Sequence, residues 1–210
     1  MPGDSYTELE TDLAEAVHRA RNDLQAVAWR RSMAATASGD PAVKTALQEA
    51  AGRVRALSSL NARLDLKAKG VKTTIDSRDF LDGLVGDLRS MHFGHRSIAL
   101  DARAEPHAIP VTFAKPLGLI LNELVVNTVK YAFPEDRTGT VSIEFRCRGG
   151  ECVLTVRDDG LGMDPAVAPR GTGIGRRMVR ALTVQVGGTF DTGPGKDGIG
   201  TECSVRWPMS

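Results

Sequence analysis

Aromatic residues are scarce in this 210-residue chain: six Phe, two Tyr and two Trp, 5% in all. So few rings argue against a base-stacking platform for single-stranded nucleic acid. A charge bias is also missing. Lys and Arg total 27 against 26 Asp and Glu, a formal net charge of +1, which leaves no electrostatic footprint for nucleic acid or an anionic membrane surface. No apolar run is long enough to cross a bilayer. The opening MPGDSYTELE is acidic and has no apolar core, so it does not read as a secretory signal. Cysteine is limited to Cys147, Cys152 and Cys203. Their number is odd and their spacing matches no metal-ligand pattern. All three fall in strand-like runs and read as small core or strand residues of a reducing compartment. There is no internal repeat and no low-complexity segment. The expectation is a soluble cytoplasmic protein of one large domain or two small ones.

What the chain does have is helical periodicity at its start. Between Glu8 and Met33, the residues Leu9, Leu13, Ala20, Leu24 and Val27 step along one face, with Ala16 or Val17 between them. The run Ala37-Ser38-Gly39-Asp40-Pro41 breaks this pattern, with Asp40 as N-cap and Pro41 at the first position of a second helix. Val43, Leu47, Ala50, Val54, Leu57 and Leu64 continue in near-heptad register. Two amphipathic helices joined by a short turn predict a helical hairpin, which a second copy would complete as a four-helix bundle. Residues 67–76 read as a linker. A third helix opens at Ser77 or Asp79, a short strand covers 97–102, and 105–110 is expected to be loop. Strands at 139–147 and 151–157, separated by Arg148-Gly149-Gly150, give a hairpin signal. A helix over 172–186 and strands at 188–192 and 199–207 follow, the strands separated by a Gly/Pro-rich turn. The predicted class is α+β: a hairpin domain over 1–72, then an α/β sandwich over 73–210.

The stretch LILNELVVNTVKYAF, Leu119 to Phe133, is predicted to be a helix with Leu121, Leu124, Val125, Thr128 and Val129 on its apolar face. Glu123 and Asn127 are four apart and share another face, with Lys130 and Tyr131 on the next turn. A carboxylate, a carboxamide and an ammonium on one face could seat Mg²⁺ and a polyphosphate. By itself such a face is more often only solvated. Two glycine-rich segments downstream alter the balance. Asp158-Asp159-Gly160-Leu161-Gly162 follows a strand; a carboxylate there can accept from a purine's exocyclic amine, and the glycines allow close backbone approach. Gly171-Thr172-Gly173-Ile174-Gly175 opens a helix, where N–H groups and the helix dipole favour phosphate. It is neither a Walker A sequence nor a dinucleotide fingerprint.

Taken together, N-E-L-x-x-N-x-x-K-Y-A-F, D-D-G-x-G-M, G-T-G-I-G and a late G-I-G-T resemble the ATP-binding domain of sensor histidine kinases, the GHKL (HATPase_c) type shared with gyrase- and MutL-type ATPases. The resemblance covers about residues 95–208. It implies that Asn127 ligates Mg²⁺ and Glu123 assists beside it. Lys130 and Tyr131 would face the phosphates and nucleotide, and Asp158 would bind adenine in a pocket shaped by Gly160 and Gly162. Gly171, Thr172, Gly173 and Gly175 would flank the triphosphate, Thr201 would hydrogen-bond on the adenine side, and residues 163–170 would form a short lid. Upstream, His18-Arg19-Ala20-Arg21-Asn22-Asp23-Leu24-Gln25 resembles the H-R-x-K-N-x-L-Q phosphoacceptor box of the HisKA_2 dimerisation domains. Arg19 stands where commoner histidine kinases carry an acidic residue, leaving Glu15 and Asp23 as candidates for the base. Asn22, one turn after His18, stands where kinases with phosphatase activity orient water. The related HWE subclass has His at the position of Asn122 and a Trp-Glu segment, both missing here.

The resemblance implies a two-component histidine kinase that autophosphorylates His18 from Mg-ATP and passes the phosphoryl group to an Asp of a response-regulator receiver domain. A homodimer through the hairpin is expected, with neither nucleic acid nor a membrane segment involved. The alternatives are a histidine phosphotransferase relay with a degenerate ATP domain and a Ser/Thr kinase of the anti-sigma-factor type. Residues 1–7 are too short for a sensory domain.

Overall fold

The computed structural model describes residues 22–23, 25–67, 73–94, 96–134, 137–163 and 173–209. The chain separates into two compact units, Met1–Leu66 and Lys67–Ser210. In the first, helix α1 covers 25–37 and α2 runs Pro41–Lys67. Asp40 caps α2 as its sequence predicts: its Oδ1 accepts from the N–H of Ala42 at 2.8 Å and of Val43 at 3.4 Å, satisfying donors with no partner inside the helix. Ala28 and Ala35, seven apart on α1, are buried, as are Ala51, Leu60 and Leu64 on α2. Small residues let helices approach closely, and the Arg55 guanidinium of α2 donates to Ser32 Oγ of α1 at 3.2 Å.

The second unit is a two-layer α/β sandwich. Its elements are β1 (Thr74–Asp76), α3 (Ser77–His92), β2 (Ile98–Ala104), β3 (Ala108–Pro110), α4 (Val111–Tyr131), β4 (Gly139–Arg148), β5 (Glu151–Asp158), α5 (Ile174–Gln185), β6 (Thr189–Pro194) and β7 (Thr201–Pro208). The main sheet has the order β2-β4-β5-β7-β6, with β2 and β4 parallel and every other pair antiparallel. Strand alternation assigns its two faces. Val141, Ile143, Phe145, Leu154, Val156, Val205 and Trp207 are buried on the inner face, where Phe145 and Trp207 stack with centroids 5.9 Å apart. The other face is polar, with Arg157 Nε donating to Glu202 Oε2 at 2.8 Å. Helix α4 is buried on nearly every side, and α3 and α5 pack against it.

The β4–β5 hairpin turns on Gly149 (φ 61°) and Gly150 (φ 80°), the left-handed pair a two-residue turn requires. Other expectations need correction. Residues 74–76 and 108–110, read as linker and loop, pair antiparallel as β1 and β3; three-residue strands are too short to show a period. Helix α4 begins eight residues before Leu119. Pro116 lies within it, but so near the start that its missing N–H costs only a bond to the first turn. The cysteines are not all free thiols. Cys147 and Cys152 stand directly opposite in the hairpin register, Cα atoms 4.0 Å apart, and form a disulfide, leaving Cys203 as the free thiol. No described helix is long and apolar enough to cross a membrane.

Candidate functional site: the end of the central helix and the turn after β5

Asp158 is the last residue of β5 and faces inward, 5% exposed. Its Oδ1 accepts from the N–H of Gly160 at 3.0 Å and of Thr201 at 3.2 Å. Burial pushes its carboxyl above the usual carboxylate range; the two N–H donors pull the other way, and the charge of Asp159 adds to the rise. A carboxylate has a second oxygen with further acceptor capacity, so a side chain fixed in this way suits recognition of an amine. The neighbouring Asp159 has a different task. Its Oδ1 accepts from Thr140 N–H at 2.7 Å, fastening the turn to β4.

The glycines here are required by close packing. A Cβ on Gly160 would overlap the Ala132 carbonyl and methyl group, and one on Gly200 (φ 69°) would strike the Asp158 carbonyl. Their bare backbones bring the D-D-G-L-G turn against the end of α4 on one side and the G-I-G-T turn on the other. Leu161 N–H then donates to Ala132 O at 3.0 Å. Gly162 (φ 74°) packs against Gly200.

Helix α4 supplies the second group of predicted residues. Glu123 is buried and Asn127 half-buried one turn later. Lys130 is exposed on the last turn, its Nζ 5.0 Å from the half-buried Tyr131 ring. Among the described residues no three His, Cys, Asp or Glu side chains form a metal cluster. One carboxamide and one carboxylate on a helix face are the kind of sparse oxygen donor set that fits Mg²⁺, which takes its remaining ligands from phosphates and water. At α5, Gly173 (φ 68°) is the N-cap and Gly175 is buried in the first turn. Gly171, Thr172 and His18 lie outside the described residues, as do Glu15 and most of the expected lid.

Thr201 belongs to the site through its backbone N–H on Asp158. The sequence signals G-I-G-T and K-Y-A-F contain Gly200 and Ala132 without assigning either a role, and Gly139 reads only as the start of a strand. A Cβ on Gly139 would meet the Phe133 ring and the Asp159 carboxylate. Cys203, on the same strand as Thr201, has its thiol pushed up by burial, which keeps it protonated and poorly nucleophilic.

Comparison with known proteins gives two family matches in sequence. Residues 15–92 match the HisKA_2 model, described as a histidine kinase, and residues 113–210 match HATPase_c, described as a histidine kinase-, DNA gyrase B- and HSP90-like ATPase. Among curated proteins, the chain is 29% identical over 212 residues to blue-light-activated histidine kinase 2 of Erythrobacter litoralis, covering 99% of this chain and 60% of that protein. It is 24% identical to the sensor histidine kinase PdtaS of Mycobacterium tuberculosis over 95% of this chain and 40% of that one. It therefore spans about 60% and 40% of the length of these relatives. In fold it resembles the histidine kinase domain of an Erythrobacter litoralis blue-light-activated kinase, with a TM-score of 0.69, 24% identity and 94% of each chain covered. Together these two matches, residues 15–92 and 113–210, span most of the chain, which belongs to the histidine kinases that join a HisKA_2 segment to a HATPase_c ATPase domain.

Proposed function

We propose that the chain is an ATP-dependent protein-histidine kinase. Residues 73–210 bind Mg-ATP, and residues 1–72 dimerise and carry the phosphoacceptor His18. The observation that carries this reading is the buried Asp158 carboxylate, held by the N–H groups of Gly160 and Thr201 at the end of the helix bearing Asn127, Lys130 and Tyr131. A decayed site would have no reason to keep a charged, buried side chain in that cradle, since burying a carboxylate is costly unless it has a task or a partner. Asp158 accepts from the adenine amine. Lys130 and the first-turn N–H groups of α5, with Gly171, Thr172, Gly173 and Gly175, attract the phosphates. Asn127, with Glu123 behind it, holds Mg²⁺, which when bound neutralises charge on the phosphate oxygens.

In the transfer itself, the unprotonated imidazole nitrogen of His18 bonds to the γ-phosphorus as the bond to the bridging oxygen breaks. ADP departs, and the ring gives up the proton held on its other nitrogen. The phosphoryl group then passes to an Asp of a receiver domain. Homodimerisation through the hairpin is supported by apolar side chains that one hairpin leaves uncovered: Trp29 (64% exposed) and Met33 lie one turn apart on α1. The test is incubation with γ-labelled ATP. The wild type should acquire an acid-labile, base-stable label and His18→Ala none. Labelling that persists in His18→Ala would reject His18 as acceptor, and a wild type that binds no ATP would leave only a phosphate relay.

A further inference from the structure

The C-terminal end of α4 carries Asn127, Lys130 and Tyr131, and the carbonyls of its last turn have no partner within the helix. Four carbonyls are bonded here, those of Thr128 and Val129 in that turn and of Ala132 and Phe133 just past it. Thr128 O accepts from Ala132 N–H at 2.9 Å and Ala132 O from Leu161 N–H at 3.0 Å. The other two are taken by one side chain: Arg96 donates from Nη1 to Val129 O at 3.1 Å and from Nη2 to Phe133 O. Arg96 comes from the turn between α3 and β2, more than thirty residues away in sequence, and its own N–H donates to Phe93 O at 3.0 Å. Its planar guanidinium is therefore anchored behind and forked in front, a geometry an ammonium cannot reproduce.

The charge is also in a useful place. A helix carries partial negative charge at its C-terminus. A polyphosphate beside Asn127 and Lys130 would approach that unfavourable end, and a guanidinium bonded to Val129 O in the last turn and to Phe133 O just beyond the helix offsets the repulsion. We infer that Arg96 is a positioning residue for nucleotide binding: it clamps the end of α4 so that Asn127, Lys130 and Tyr131 are held in register with the D-D-G-L-G turn, and screens the helix terminus from the phosphates. The inference rests on the nucleotide reading above. It assigns Arg96 no contact with ATP.

A matched control is built into the same layer. Arg89 on α3 also donates from a guanidinium to a backbone carbonyl, Leu100 O at 2.7 Å, but holds β2 rather than α4. Full-length Arg96→Met, Arg96→Lys and Arg89→Met should be titrated with Mg-ATP well below each variant's melting temperature. Amide hydrogen exchange should be followed on the same proteins without nucleotide. Arg96→Met should raise the Kd for ATP about ten-fold and speed exchange at Ala132 and Phe133. Arg96→Lys should recover part of the affinity, and Arg89→Met should leave Kd within two-fold of wild type. If Arg96→Met does not fold, Arg96→Lys carries the comparison. Unchanged exchange at the end of α4, or an equal loss of affinity in the Arg89 and Arg96 variants, overturns the positioning role. A wild type that binds no ATP overturns the nucleotide reading instead, and the exchange rates still report whether Arg96 clamps the helix.

Discussion

Asp158→Asn separates recognition from stability, because the two should move in opposite directions. The carboxamide oxygen is nearly isosteric with Oδ1 and can accept from Gly160 and Thr201 N–H as before. The second oxygen becomes an NH₂ group, which presents a donor to the donor amine of adenine. A hydrogen bond to a charged group contributes about 1.5–3 kcal/mol, so Kd for ATP should rise by roughly 10- to 100-fold. Stability follows a different rule. Burial raises the folded-state pKa of this acid above its unfolded value, so the unfolded carboxyl loses its proton at lower pH than the folded one. Wild-type stability from this group therefore falls as pH rises from the unfolded pKa through the folded one, and stays lower above it. Asn carries no such penalty, so at neutral pH the variant should melt no lower than wild type, and any advantage should shrink toward acid pH. Calorimetric titration with ATP and with purine riboside triphosphate, which lacks the exocyclic amine, completes a double-mutant cycle. The wild type should prefer ATP and the variant should not. A variant that binds ATP as wild type does, or that loses affinity only because it unfolds several degrees earlier, would refute the assignment of Asp158 to the base.

Gly160→Ala should lose about 1–3 kcal/mol of stability in urea melts, because the new methyl group overlaps the Ala132 backbone; nucleotide affinity should fall with it, as the turn can no longer bond to the end of α4. Asp40→Ala removes the cap of α2 and should cost about 1 kcal/mol, read as an earlier helical melt by circular dichroism. Reduction of Cys147–Cys152 reopens a loop with a sequence separation of 5, worth about 2 kcal/mol on a chain-entropy estimate. Denaturation with and without dithiothreitol should show that difference, and Cys203→Ser should not alter it.

Much of this protein was legible without coordinates because the signals are local. Asp40-Pro41 announces the start of α2, and Gly149-Gly150 allows a turn that few other residue pairs adopt. The alternating residues of β4 and β5 fix which face is buried. The spacing of Glu123, Asn127 and Lys130 puts them on adjoining turns of one helix. The motifs around Asp158 and Gly173 fell in the order that marks a nucleotide site. Each depends on residues within a few positions of one another, where backbone geometry alone sets the outcome.

Tertiary structure decided what depends on distant partners. The resemblance named Asp158 of two adjacent aspartates but gave no physical reason; the meeting of β5 with Gly160 and Thr201 makes Asp158 the buried acceptor, while Thr140 claims Asp159. Pairing of Thr74–Asp76 with Ala108–Pro110 gives strands to two segments too short to display a period. The opposition of Cys147 and Cys152 across the hairpin turns expected thiols into a disulfide. The grip of Arg96 on the end of α4 left no trace in the sequence, because a surface-type residue in a turn acquires its meaning only when folding brings two unpaired carbonyls to it.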